Sequence, residues 1–290
     1  MYLCDFHTHS LISPDSSAPL ADMAQAALER GLSELCVTDH CDLLDYTGHP
    51  NAHFDWAGAM AQFHQVQAQL QGKLTLRLGL ELGSAPACPD SARHILRQGG
   101  DHLDFVLGSL HNWIGLRDNQ ELYFTDFSNN PALAREAMEC CLTHTRTLVT
   151  QLPDCYDSLA HIIYPLRYIQ RDGIALDIQQ FEAPIREIFR VVAQSGHALE
   201  VNTCRGRNVE DWRILLTWFR DCGGEYVTLG SDAHRPEDMA KGISQAAQLL
   251  RQTGFTHVTV YRRRTPLSSA PCKRRGGRHS PIPSKRRQQQ

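Results

Sequence analysis

His7 and His9 stand two residues apart in the run Asp5-Phe6-His7-Thr8-His9-Ser10. On a β-strand this spacing puts both imidazoles on one face, with Cα atoms about 6.6 Å apart, so both reach one cation at a Zn–N distance of about 2 Å. The i, i+2 pattern returns far along the chain as Asp232-Ala233-His234. Between the two pairs, His40, Glu81, His111 and His161 stand at or near the ends of short apolar runs, and all are metal-ligand types. Glu81 lies inside Leu78-Gly79-Leu80-Glu81-Leu82-Gly83, where a carboxylate is costly unless paired or metal-bound. His111 or His161 alone reads equally well as a hydrogen-bonded rim residue. The joint occurrence of these residues points to divalent cations. Imidazole donors favour Zn or Fe, and the carboxylates extend the set to Mn.

These side chains need a scaffold that collects them. Tyr2–Phe6, Glu34–Thr38, Leu74–Leu82, Phe105–Leu110, Ser158–Ile162, Ala198–Asn202 and Tyr226–Gly230 read as strands, with helical patterns between them. Leu20, Met23, Ala24, Ala27 and Leu28 form an amphipathic stripe opened by Pro19 and stopped by Gly31. Similar stripes are Trp56/Met60/Phe63/Gln67/Leu70, Phe181/Ile185/Ile188/Phe189/Val192 and Val209/Trp212/Leu215/Leu216/Phe219. Strands alternating with helices imply parallel pairing, since parallel neighbours need long crossovers. A closed or nearly closed barrel gathers polar residues from many strand ends at one face. An open doubly wound sheet, the competing architecture, gathers its site at one switch point.

At 290 residues and 42% hydrophobic content the chain suffices for a large α/β core. No apolar run approaches the roughly 20 residues of a membrane span, and no N-terminal leader pattern is evident, which points to the cytoplasm. The ten cysteines lack CxxC spacing and often sit in apolar segments, as reduced core thiols do. The net charge of −3 conceals an asymmetry. Residues 262–290 carry ten of the 29 basic residues and no acid, leaving 19 basic against 32 acidic groups and a net −13 in residues 1–261. An acidic body makes a nucleic-acid partner unlikely, because such binding rests on Lys and Arg neutralising phosphates. Residues 1–264 are expected to form the barrel and 265–290 a basic, disordered tail.

In order, Asp-x-His-Thr-His-Ser, Thr-Asp-His, Gly-x-Glu, Ser-x-His, Ala-His and Gly-Ser-Asp-Ala-His resemble the motifs of the PHP (polymerase and histidinol phosphatase) superfamily over residues 1 to about 264. Leu199-Glu200-Val201-Asn202-Thr203 and Ala160-His-Ile-Ile-Tyr-Pro-Leu-Arg-Tyr168 are most similar to its monofunctional histidinol-phosphate phosphatases. The resemblance implies a distorted, TIM-like (β/α)7 barrel with three divalent metal ions at the C-terminal ends of its strands. Carried over motif by motif, the first ion takes His7, His9, Glu81 and Asp232. Glu81 bridges to a second held by His111 and His161, and Asp15, His40 and His234 hold the third. By its own context, Asp15 in Ser13-Pro14-Asp15-Ser16 reads as a turn or capping residue as well.

The implied reaction releases L-histidinol and phosphate from a small-molecule phosphate ester. Two cations sharing a water lower its pKa toward neutrality, giving a metal-bridging hydroxide that attacks phosphorus in line. Asp232 and His234 are the candidate proton carriers. Arg167, Arg205 and Arg207 are candidates for the phosphate, since a guanidinium matches its fork of oxygens. Asn202-Thr-Cys-Arg-Gly-Arg207 stands where related enzymes often have Asn-Thr-Ser-Gly-Leu-Arg, which keeps Arg207 and makes Arg205 a departure. Asp42 is a candidate for the amine or imidazole of histidinol, or a cap for the next segment. Tyr46, Trp56, Trp113 and Tyr164 are expected near the mouth as aromatic walls. A nucleotide phosphoesterase or single-strand exonuclease of the same superfamily is the alternative, disfavoured by the acidic body. The oligomeric state is not legible.

Overall fold

The computed structural model of the protein describes residues 2–207, 209–269 and 280–281. In chain order the principal elements are β1 (Cys4–Asp5), α1 (Leu20–Glu29), β2 (Glu34–Val37), β3 (His40–Asp42), α2 (Trp56–Leu70), β4 (Thr75–Gly83), α3 (Pro89–Gly99) and β5 (Phe105–Ser109). There follow α4 (Pro131–Gln151), β6 (Ser158–Leu159), α5 (Tyr164–Arg171), α6 (Glu182–Ser195), β7 (Ala198–Asn202), α7 (Trp212–Asp221), β8 (Val227–Gly230), α8 (Ile243–Gln252), β9 (Val258–Arg262) and β10 (Thr265–Ser269).

The sheet runs β1-β2-β4-β5-β6-β7-β8, every pair parallel. Its ends meet: Phe6 N–H donates to Leu229 O at 2.8 Å, Asp232 N–H to His7 O at 2.8 Å and His9 N–H to Ala233 O at 2.9 Å. The result is a nearly closed seven-stranded (β/α) barrel, and the open doubly wound alternative is excluded. The expected helices form where the stripes place them. Leu20, Met23, Ala24 and Ala27 are buried on α1, and the Asp55 carboxylate caps α2 by accepting from Gly58 N–H at 2.9 Å. Phe105, Leu107, Ile185, Phe189, Leu215 and Phe219 are fully buried between sheet and helices. Each large apolar side chain so buried contributes about 1.5–3 kcal/mol.

Two departures from the sequence reading bear on the site. The segment expected as one strand through Thr38 breaks after Val37, and His40–Asp42 forms the separate β3, paired with β4 so that His40 stands opposite Glu81. The break matters because it re-aims the chain before His40. The second departure is a strand just beyond residue 264, where the barrel was expected to end. Thr265–Ser269 pairs antiparallel with Val258–Arg262, while Arg264 Nε–H donates to the buried Asp157 carboxylate at 3.1 Å and its backbone N–H to Asp104 O at 2.8 Å. A Thr-Pro-Leu run gives little strand signal by itself, and pairing with an apolar neighbour decides it. The tail expectation for 270–279 and 282–290 lies outside the described residues.

Among the described residues no helix is long and apolar enough to cross a membrane. The nine described cysteines are free thiols, seven of them buried.

Candidate metal centre

The polar strand ends converge. His7 and His9 follow β1, Glu81 lies in β4, His111 follows β5, His161 follows β6, and Asp232 and His234 follow β8. His7, His9, Glu81, His111, His161 and Asp232 are all buried. The close approach of β8 to β1 depends on Gly230, where a Cβ would lie 2.4 Å from His7 Cβ and from Glu200 Oε1. Asp232 holds a left-handed backbone, φ 61°, at the seam. Asp tolerates this region better than most residues, and here the turn is held by the bond to His7 O.

Glu81 is the hub. Its Oε2 lies 3.0 Å from His7 Nε2, 3.6 Å from His9 Nε2 and 3.1 Å from His40 Nδ1. Its Oε1 lies 2.8 Å from His161 Nε2 and 3.2 Å from His111 Nε2. Asp232 Oδ1 is 3.7 Å from His7 Nε2 and 3.5 Å from His9 Nε2. Ligand atoms about 2.1 Å from a tetrahedral ion stand roughly 3.4 Å from one another, so these separations suit shared cations. Asp15 Oδ2 reaches His234 Nε2 at 2.9 Å and His40 Nε2 at 3.6 Å. His40 thus faces the Glu81 group with Nδ1 and the Asp15 group with Nε2.

The ring tautomers test the fit. His7 Nδ1–H donates to Glu200 Oε1 at 2.6 Å, His9 Nδ1–H to Ser13 Oγ at 3.0 Å, His111 Nδ1–H to Asp42 Oδ1 at 2.7 Å and His234 Nδ1–H to Asp232 O at 3.0 Å. Ser13 in turn donates to Asp39 Oδ1 at 2.8 Å, which leaves it an acceptor for His9. Each of these rings therefore presents an Nε2 lone pair to the centre, the arrangement that metal-bound histidines adopt. His9 Nε2 is buried without a hydrogen-bond partner among the described residues, and His234 Nε2 faces the Asp15 carboxylate at 2.9 Å. The donor set fits divalent cations.

Burial and charge shape the protonation states. Burial favours a neutral Glu81, but His7, His40 and His111 hold it ionised well below the usual carboxylate range. Asp232 is likewise held down against burial by His7 and Arg167. Burial, reinforced by His234 and His40, pushes the His9 imidazole well below its usual value. His9 packs against these two rings at centroid distances of 4.0 and 4.3 Å, a stack that disfavours protonation. The centre thus combines ionised carboxylates with a neutral imidazole.

Of the three candidate arginines, the structure brings Arg167 into the centre. Placed by α5, it is partly buried and donates to Asp232 Oδ2 at 2.8 Å and to Asn202 Oδ1 at 2.7 Å. Arg205 and Arg207 are exposed on the loop after β7, and Arg207 donates back to Cys204 O at 3.2 Å. Asp42, considered for a cationic ligand group, has one oxygen committed to His111. Trp56 and Trp113 do not wall the mouth. Trp56 is buried with its indole N–H on Ile95 O, and Trp113 is fully buried with its N–H on Thr125 Oγ1. Tyr164 packs on His111 and His161 at 4.9 and 5.0 Å, and Tyr46 is exposed at the rim.

The residue reading passed over Glu200, Asn202, Ser109 and Ser13, while Asp39, paired in sequence with His40, serves Ser13 rather than the centre. Glu200 accepts from His7 and from His161 N–H at 2.8 Å, and Asn202 bridges Glu200, Arg167 and Asp232. The signal was available for Glu200, since it too is a carboxylate inside an apolar strand. Ser109 Oγ–H donates to Glu81 Oε1 at 2.7 Å, a contact no local pattern announces.

Comparison with known proteins agrees with this geometry. The chain is 26% identical over 269 residues to the histidinol-phosphatase of Lactococcus lactis subsp. lactis, covering 89% of this chain and 93% of that one. The crystal structure of the Lactococcus lactis histidinol phosphate phosphatase complexed with Zn, L-histidinol and phosphate superposes with a TM-score of 0.78 at 26% identity, covering 91% and 98% of the two chains. A Listeria monocytogenes structure, 18% identical, shares the fold with a TM-score of 0.68 over 83% and 99%. The PHP domain profile matches residues 5–204. With the profile spanning more than half of its length, the chain belongs to the PHP domain family.

Proposed function

We propose that the protein is a metal-dependent phosphomonoesterase that hydrolyses L-histidinol phosphate to L-histidinol and phosphate, a step of histidine biosynthesis in the cytoplasm. One observation carries the reading: Glu81 is ringed by the imidazoles of His7, His9, His40, His111 and His161, with the Arg167 fork beside Asp232. Zn or Mn held there would activate a water for attack on phosphorus and neutralise phosphoryl oxygens. The first ion is assigned to His7, His9, Glu81 and Asp232, the second to Glu81, His111 and His161, and the third to Asp15, His40 and His234.

The chain's own residues do the rest. Arg167, oriented by Asn202 and Asp232, presents a planar cation suited to phosphate oxygens. Asp232 and His234, placed at the seam, are assigned proton transfer toward the leaving alkoxide. Glu200, Asp42 and Ser13 hold the imidazoles of His7, His111 and His9 in the ligating tautomer.

The test is phosphate release from L-histidinol phosphate by protein loaded with Zn or Mn, compared with chelated protein and with single-stranded DNA as substrate. Metal-dependent release from histidinol phosphate is expected. Faster turnover of DNA, or release that is indifferent to chelation, would overturn the proposal.

A further inference from the structure

Beside the metal centre lies a cavity of about 460 Å³ that opens onto His40 and His111 and contains no Lys or Arg in its lining. Asp42, Asp45, Asp55 and Glu121 contribute to its walls, together with the aromatic rings of Tyr46 and Phe54. Arg167 is not part of this cavity and contacts Asp232 and Asn202 instead. The site therefore has a cationic phosphate side and an acidic, aromatic side. An ester whose phosphate lies at the His/Asp/Glu cluster places its leaving group in the acidic cavity.

Three of the four carboxylates are already employed. Asp42 accepts from His111, Asp45 Oδ1 accepts from Thr47 N–H at 2.8 Å and His49 N–H at 3.0 Å, and Asp55 caps α2. Glu121 differs. Its one side-chain hydrogen bond among the described residues comes from the Tyr164 hydroxyl at 3.3 Å, and Tyr164 itself packs on His111 and His161. Glu121 backbone N–H donates to Tyr46 O at 3.2 Å, which ties the backbone at Glu121 to the Tyr46 segment of the cavity wall. A partly buried carboxylate with acceptor capacity left over, facing a cavity lined by four carboxylates and three histidines with no Lys or Arg, is suited to an ammonium or imidazolium group.

We infer that Glu121, supported by Tyr164, is the specificity residue that selects phosphomonoesters with a cationic leaving group. The inference rests on the phosphomonoesterase reading above and extends it to a residue that no sequence motif marked.

The experiment compares kcat/KM for L-histidinol phosphate with that for p-nitrophenyl phosphate, whose leaving group carries no cation, in the metal-loaded wild type, Glu121→Gln and Glu121→Asp. Glu121→Gln is expected to lower the cationic-to-neutral ratio by about tenfold or more, chiefly through KM for the cationic ester, with partial rescue in Glu121→Asp. An unchanged ratio in Glu121→Gln overturns the inference, whereas a purely structural role lowers both substrates together and leaves the ratio unmoved. If the wild type ignores histidinol phosphate but cleaves other monoesters, the proposed substrate fails on its own. The inference is then decided by the same ratio for phosphoethanolamine over glycerol 2-phosphate. A wild type without preference for the cationic member of either pair overturns it.

Discussion

His7 Nδ1 and Glu200 Oε1 meet at 2.6 Å across Gly230, joining the strand that opens the barrel to the last but one strand of the sheet. Through this bond the His7 ring is fixed with Nε2 toward Glu81, and the same Glu200 carboxylate accepts from His161 N–H. One buried carboxylate thereby orients parts of two ligand groups.

Glu200→Gln keeps an acceptor and removes the charge that holds the His7 ring. Metal affinity is expected to fall by about 10–100-fold with the fold retained. Glu200→Ala also strips His161 N–H of its acceptor and is expected to destabilise the protein by about 1–3 kcal/mol. Titration against buffered Zn, together with thermal melts of both variants, measures the two effects separately. Wild-type affinity in Glu200→Gln would remove Glu200 from the centre.

Arg167 is the guanidinium built into the site, so Arg167→Ala is expected to lower kcat/KM for phosphate esters by roughly 10²–10³-fold. Arg167→Lys keeps the charge and loses the fork, and is expected to fall between wild type and Ala. Steady-state kinetics on one ester settles the order. Equal activities of Lys and wild type would show that geometry at this position is immaterial.

His234 reaches Asp15 at 2.9 Å and, unlike His7 or His161, does not contact Glu81. Its replacement by Ala is expected to remove one metal equivalent while leaving the ions at the Glu81 group in place, with turnover reduced. Metal analysis by mass spectrometry on extensively dialysed protein reads the stoichiometry. Retention of the wild-type stoichiometry would refute the assignment of His234 to a separate ion.

Asp157 titrates away from the centre. Burial pushes its carboxyl up from 3.8 to about 6 despite the Arg264 partner. A raised folded-state pKa means the native state holds the proton more tightly than the unfolded chain. The stability so gained is complete below about pH 4 and is lost as pH rises through about 6. The loss is on the order of 2–3 kcal/mol. Asp157→Asn lacks the titration, so urea unfolding of wild type relative to Asp157→Asn should become more favourable between pH 4 and 7. A pH-independent difference would contradict it.

The two i, i+2 pairs, the carboxylate within the apolar strand of Glu81 and the alternation of strands with helices were legible because each depends on local spacing, period 2 or period 3.6, that the covalent chain itself fixes. These features were enough to bring eight ligand candidates to one end of a barrel, and the family resemblance added Asp15. The sequence also showed an acidic body, and that bounded the class of partner.

Only the tertiary structure decided which arginine enters the centre: the sequence pattern favoured Arg207, and the placement of α5 and the β7 loop puts Arg167 beside Asp232 and leaves Arg207 exposed. It also decided that Asp42 serves His111, that Trp56 and Trp113 are core, that His40 sits on its own short strand opposite Glu81, and that Thr265–Ser269 pairs with β9. The supporting bonds from Glu200, Ser13, Ser109 and Asn202 join separate parts of the chain, the one between His7 and Glu200 spanning 193 residues. A hydrogen bond is governed by separation in space within about 3.5 Å, and chain spacing carries no record of it until the barrel closes.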